Sequence, residues 1–196
     1  MTDGLRIAGH AGRSRVNGPG VRAVLWVQGC SLACPGCFNP QTHAPDGAVT
    51  TVQAVVERLL VDREGLDGVT FSGGEPFEQA EALAAVARGL RAAWPAVHLM
   101  AYSGYAYEQL RGPAAPPGSA ALLAALDMLV DGPFATKALG HGAWRASRNQ
   151  RVWVLGRPPP TWAAPADAEI TIGEEGQVLL SGLPDPGLRR AVDRLR

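Results

Sequence analysis

Three cysteines, Cys30, Cys34 and Cys37, are the only thiols among 196 residues, and all three lie within eight positions. An odd number packed so closely makes a poor disulfide framework, and paired thiols persist mainly in oxidising compartments. Reduced thiols gathered on a metal are the chemistry this pattern allows. The i, i+4, i+7 spacing would share one face of a helix, as three small core residues might on an amphipathic segment. Gly29, Pro35 and Gly36 oppose that reading, because proline inside a helix costs about 3 kcal/mol. The segment is therefore expected to be a tightly wound loop that turns three sulfurs toward a common centre. A structural zinc ion wants four ligands, and the fourth would have to come from His43 or His10. An iron–sulfur cube usually takes four cysteines. With three in the whole chain, one iron would lack a protein thiolate and could bind a small molecule instead.

The elements that must position these thiols alternate between short apolar runs and helix-like runs. Strands are expected at 21–28, 68–72, 96–102, 127–131 and 150–155, where branched and aromatic residues end at breakers. Helices are expected at 51–64, capped by Thr50 or Thr51, at 77–93, at 105–111 and at 120–126. Residues 156–167 are proline-rich, 169–172 and 177–180 flank Gly173-Glu174-Glu175-Gly176 as a hairpin, and 184–196 closes the chain as a helix. Strand–helix alternation with continuously apolar strands implies an α/β fold, a parallel sheet covered by helices. A complete eightfold barrel needs about 250 residues, so an open, partial barrel of five or six βα units in a single domain is expected. Residues 1–155 form the core in this reading, and 156–196 a linker, hairpin and helix packed upon it. Chemistry in such sheets sits at the C-terminal strand ends. Both the thiols and Gly73-Gly74-Glu75-Pro76 follow strands directly.

Composition excludes several classes. Eighteen basic and 18 acidic side chains give zero net charge, against nucleic-acid binding or a basic membrane-surface role. Met1-Thr2-Asp3-Gly4-Leu5-Arg6 carries no apolar run of signal-peptide length. The uncharged stretch 113–126 holds three prolines and falls short of the ~20 residues that span a bilayer. A reducing, cytoplasmic setting is expected.

Cys30-Ser31-Leu32-Ala33-Cys34-Pro35-Gly36-Cys37 resembles the C-x-x-x-C-x-x-C hallmark of the radical S-adenosylmethionine (SAM) superfamily. Further stretches resemble its glycyl-radical-enzyme activating branch: 16–22 (VNGPGVR), 34–39 (CPGCFN), 72–76 (SGGEP), 102–105 (YSGY), 129–134 (LVDGPF) and 149–151 (NQR). They occur in the family's order over about residues 4–155. The resemblance implies a radical-SAM-type partial barrel, a 4Fe-4S cluster on Cys30, Cys34 and Cys37, and SAM chelated at the open iron. One electron from the cluster, supplied by a flavodoxin or ferredoxin, would then break the sulfonium C–S bond. The activity implied is that of an oxidoreductase installing a glycyl radical on a partner enzyme, most closely anaerobic ribonucleotide reductase.

The resemblance also assigns residues. Gly73, Gly74, Glu75 and Pro76 would meet the methionine ammonium, with Ser103, Asp131 and Asn149 as further cofactor contacts. Each has a plainer reading. The glycines can serve a strand-to-helix turn with Glu75 at a helix start, Ser103 and Asp131 can serve turns, and Asn149 can be a loop residue. No general acid or base is implied. The chain departs from the family at Arg145-Ala146-Ser147-Arg148-Asn149-Gln150, where Ala146 replaces glycine and Arg148 adds a cation, and at Phe38, which lacks a polar tip. The Ala146–Arg148 departure keeps open a stand-alone radical SAM enzyme acting on a small molecule or peptide. The histidines keep open a zinc-binding interaction module.

Overall fold

A computed structural model describes residues 4–61, 63–162, 167–173, 176 and 178–194. The chain start Met1-Thr2-Asp3, Asp62 in the first expected helix, residues 163–166 of the expected proline-rich stretch, Glu174, Glu175 and Gln177 of the expected hairpin, and Leu195-Arg196 of the expected last helix lie outside the described residues.

The chain runs β1 (Gly4–Ser14), β2 (Arg22–Val27), β3 (Val49–Thr51), α1 (Val52–Leu60), β4 (Gly68–Gly73), α2 (Ala80–Ala93), β5 (His98–Tyr102), α3 (Tyr107–Arg111), α4 (Ser119–Ala125), β6 (Met128–Asp131), β7 (Leu139–Gly142), β8 (Arg145–Ser147), β9 (Arg151–Val154), β10 (Ala168–Ile172), β11 (Val178–Gly182) and α5 (Pro186–Asp193). Seven strands form one open sheet in the order β3-β1-β2-β4-β5-β6-β9. Its centre, β2-β4-β5-β6, is parallel. β1 pairs antiparallel with both β2 and β3, and β9 antiparallel with β6.

The expectation of five or six βα units is corrected to four parallel strands joined by three helical crossovers. The reason lies between β6 and β9. One short 3-10 turn (Thr136–Ala138) and the β7–β8 hairpin fill that connection, with no α-helix among the described residues there, so the chain returns antiparallel without the crossover a parallel strand requires. β1 was not foreseen at all. Gly4, Gly9 and Gly12 depress its intrinsic strand propensity, and pairing with β2 and β3 imposes the conformation, with irregular register at Ile7–Gly9 and Ala11–Ser14.

Strand periodicity separates two faces. Leu25, Val27, Val69, Phe71, Leu99 and Leu129 pack with Val55 and Leu59 of α1, Leu83 and Leu90 of α2, and Leu122 of α4 in one buried core. Thr51 caps α1 by accepting from Ala54 N, as the sequence implied. The opposite face carries Met100, Met128 and Val130, which pack with Trp144 from the β7–β8 turn. The C-terminal hairpin β10–β11 pairs antiparallel through Ala168↔Gly182 and Ile172↔Val178. Among the described residues no helix is long and apolar enough to cross a membrane.

Candidate functional site

The loops that follow the four parallel strands open on one cleft of about 420 Å³. Cys30, Cys34 and Cys37 line it after β2, Gly73, Gly74 and Glu75 after β4, Ser103 after β5 and Gly132 after β6. Fold and motif therefore agree on the end of the sheet where chemistry belongs.

Backbone hydrogen bonds wind the thiol loop. Gly29 N donates to Thr42 O at 2.8 Å, Cys30 N to His43 O at 3.0 Å and Cys37 N to Cys34 O at 3.1 Å. Ala33 is forced to φ +40°, an uncommon conformation for a residue with a β-carbon. Gln28 Nε2 ties the loop's far end by donating to Ala44 O at 2.7 Å and Asp46 Oδ1 at 2.9 Å. Glu78 holds its near end: the carboxylate accepts from Ser31 N at 3.1 Å and from the Tyr105 hydroxyl at 3.2 Å. Sequence reasoning missed Gln28 and Glu78. Glu78 stands three residues beyond Glu75 in the turn before α2, a position that carries no chemical signature until the thiol loop folds over it.

All three thiols are half-buried. Burial pushes Cys30 up, while the N–H groups of Ala33 and Leu32 pull it back. Burial likewise pushes Cys37 up, countered by the Asn39 N–H, which donates to its sulfur at 3.4 Å, and by the Arg189 charge. Asn39 thus supports the loop through its backbone. Among the described residues, no three His, Cys, Asp or Glu side chains stand ready-made around a single ion. An iron–sulfur cube asks for less convergence, since its thiolates sit on separate corners. Soft sulfur donors with N–H groups aimed at them fit such a cube.

Gly73 and Gly74 are explained by contact with that loop. Gly73 adopts φ +101°, and a β-carbon there would stand 2.6 Å from Val27 N. A β-carbon on Gly74 would overlap the Gly29 carbonyl oxygen. The two turns are laced together by Gly74 N donating to Val27 O and Glu75 N to Gly29 O, both at 2.8 Å. Gly74→Ala is expected to lower stability by about 2–3 kcal/mol through overpacking against backbone that cannot step aside. Thermal unfolding should show a fall of roughly 5–10 °C for a chain of this size.

Glu75 is 1% exposed. Its Oε1 accepts from Phe77 N and the Ser103 hydroxyl, each at 2.9 Å, and Oε2 from Gly104 N at 2.8 Å. Burial pushes the carboxyl up to about 7 against the pull of these three donors. A carboxylate offers about four acceptor positions, three of which these bonds use, and Glu75 lines the cleft. Glu75 therefore bridges the β4 and β5 loops as well as facing the cavity.

The remaining expected residues stand elsewhere. Pro76 is buried at the start of the turn leading to α2. Asp131 is fully buried, and alternation along β6 puts it on the helix-covered face with Leu129. There it accepts from Tyr107 N at 2.6 Å, at the start of α3, and from Arg151 Nε at 3.1 Å. Asn149 is exposed and donates from Nδ2 to Pro133 O at 2.7 Å. Neither Asp131 nor Asn149 lines the cleft. Ala146 and Gln150 of the divergent stretch do, and Gln150 Oε1 accepts from Ala146 N at 2.8 Å. Arg148 points away: it is exposed, with Nη1 donating to Leu139 O at 2.9 Å.

Comparison with known proteins accords with the cleft's donor set. Residues 16–153 match the model of the 4Fe-4S single cluster domain, which selects iron and sulfur over zinc. The anaerobic ribonucleoside-triphosphate reductase-activating protein of Enterobacteria phage T4 is 30% identical over 142 residues, 70% of this chain and 86% of that protein. Its namesake in Vibrio cholerae is 31% identical over 69% of this chain and 88% of that protein. The pyruvate formate-lyase-activating enzyme of Clostridium pasteurianum is 45% identical over 74 residues, 35% of this chain and 31% of that protein. With the family model covering most of the chain and relatives matched over most of their length, this chain belongs to the radical SAM activating enzymes, the family of the anaerobic ribonucleoside-triphosphate reductase-activating proteins.

Proposed function

We propose that the chain binds a 4Fe-4S cluster through Cys30, Cys34 and Cys37, cleaves SAM reductively there, and installs a glycyl radical on a partner enzyme, anaerobic ribonucleotide reductase. The observation that carries this is the meeting of three thiols and the Gly73-Gly74-Glu75 turn on one cleft at the C-terminal ends of the parallel strands. When bound, the cluster supplies the single electron that a sulfonium accepts reluctantly. The chain's own residues do the rest. The remaining acceptor position of Glu75 suits the methionine ammonium, and Ser103 holds Glu75 in place. Leu32, Phe38 and Phe134 supply apolar lining that keeps water from the thiols, as radical chemistry requires of its protein. Asp131 and Asn149 act as supports, one tying α3 to β9, the other fixing the turn after β6. The electron comes from a flavodoxin or ferredoxin in a reducing cytoplasm, and residues 1–155 form the catalytic core.

The test is anaerobic reconstitution of the full chain with iron and sulfide, followed by SAM and dithionite. Methionine and 5′-deoxyadenosine should appear, and adding a candidate anaerobic reductase should give a glycyl signal in electron paramagnetic resonance. Deoxyadenosine formed only with a small substrate or peptide would move the reading to the stand-alone enzyme, for which the divergent Ala146 on the cleft wall is the motive. A colourless protein holding zinc would end it.

A further inference from the structure

The family match ends at residue 153, yet residues beyond it complete the cleft. β11, the turn after it and α5 contribute Leu179, Ser181, Leu183 and Arg189 to the lining. This segment is fastened to the core at three points. Asn17 Nδ2 donates to the Ser181 hydroxyl at 2.5 Å, Arg15 N to Glu169 Oε2 at 3.0 Å, and Arg189 Nη2 to Phe38 O at 3.2 Å. Asp185 caps α5 by accepting from Gly187 N and Leu188 N, and Arg189 N bonds back to Asp185 O. The helix start, and with it the origin of the Arg189 side chain, is thereby fixed. The guanidinium carbon lies 5.8 Å from the centre of the Phe38 ring, and that ring packs on Phe134 at 5.0 Å. Phe38 directly follows Cys37. Among the described residues lining the cleft, Arg189 is the only lysine or arginine.

We infer that Arg189 is a positioning residue for the iron–sulfur centre: it clamps Phe38 at the end of the thiol loop and places the cleft's permanent cation where reduction adds negative charge. The inference rests on the cluster assignment above and deepens it. Reduction transfers one electron from an external donor, dithionite in the test, with no bond made or broken and no proton moved. The centre becomes one unit more negative, and a nearby cation favours that state by Coulomb attraction in a partly desolvated cleft. A purely mechanical anchor would leave the redox balance unchanged.

Full-length Arg189→Gln, Arg189→Lys and Arg189→Ala are compared with the natural chain after anaerobic reconstitution, without SAM. Iron content, visible absorption and a dye-mediated redox titration are measured. Glutamine removes the charge and ends two bonds short of the Nη2 that reaches Phe38 O, so it loses the anchor as well; lysine keeps the charge without the planar fork, so the Lys variant separates charge from anchorage. Iron content should be the same in the Gln and Lys variants as in the natural chain. At a fixed potential the Gln variant should show an approximately tenfold lower reduced-to-oxidised ratio, ~59 mV for a one-electron couple, and the Lys variant a ratio within about twofold of the natural chain. A Gln variant with full iron and an unmoved titration curve overturns this inference alone. A natural chain that takes up no iron overturns the cluster assignment with it.

Discussion

Cys30→Ser, Cys34→Ser and Cys37→Ser should each reduce SAM cleavage below about a thousandth of the natural rate, a loss of at least ~4 kcal/mol in transition-state terms. Three features make the expected effect so large. The chain contains no fourth cysteine that could move in, so each substitution leaves a cube with two thiolates. Serine is a harder donor and stays protonated near neutrality, so it does not replace a thiolate toward iron. The centre is required for the electron transfer itself, so a partly held cluster gives no partial reaction. Folding should survive, because the loop is held by backbone bonds from Gly29, Cys30 and Cys37 and by the Glu78 and Gln28 side chains, while the thiols are only half-buried. Circular dichroism and thermal unfolding of the cluster-free variants should therefore match the cluster-free natural chain within about 1 kcal/mol. Iron analysis and visible absorption check the prediction directly. Any one of the variants retaining a full complement of iron and turning over SAM would remove that residue from the centre.

The thiol loop, the glycine pair and the parallel strands were legible because their signals are local. Gly29, Pro35 and Gly36 break a helix wherever they occur, and buried parallel strands read as continuous apolar runs. What escaped depends on partners distant in sequence. β1 looks like a glycine-punctuated loop until β2 and β3 pair with it. Asp131 is an acid at the end of a strand, next to a cleft that also takes in Gly132; only the parity of β6 shows that it faces Tyr107 and Arg151. The glycine pair lines the cleft, and the sequence did not show that the missing β-carbons also let this turn approach Val27 and Gly29. Arg189 belongs to a segment with no family signature, and nothing in its neighbours foretells that α5 lies over Phe38. Arg22 was noticed as part of a motif, without any indication of why an arginine should begin a buried strand.

That last residue gives the second large expectation, and it concerns folding. Arg22 is 0% exposed and spends its guanidinium on the N-terminal ends of the parallel strands. Nε donates to Thr70 Oγ1 at 2.7 Å, Nη1 to Pro19 O at 3.1 Å, and Nη2 to Val69 O at 2.7 Å and His98 O at 2.8 Å. Burial lowers its pKa to about 10, partly offset by Tyr102, Asp67 and Asp127, so the group stays charged at neutral pH. Two opposing terms decide the outcome of Arg22→Met. Removing a buried cation recovers desolvation energy, which is why apolar replacement of whole buried ion pairs can be neutral. Here, however, the partners are backbone carbonyls that cannot be replaced, and each hydrogen bond they lose from a charged donor is worth about 1.5–3 kcal/mol. Three carbonyls outweigh the recovered desolvation, giving an expected loss of about 3–5 kcal/mol, a large share of the 5–15 kcal/mol that typically holds a domain. Arg22→Lys keeps the charge but not the planar fork and should lose about half as much. Urea unfolding of the three proteins measures this. Arg22 begins β2 and Cys30 follows its end, so the variants that remain folded should still bind iron in proportion to their folded fraction. An Arg22→Met chain with an unchanged urea midpoint would show that the strand-end carbonyls find other donors and that the buried guanidinium is dispensable to the fold.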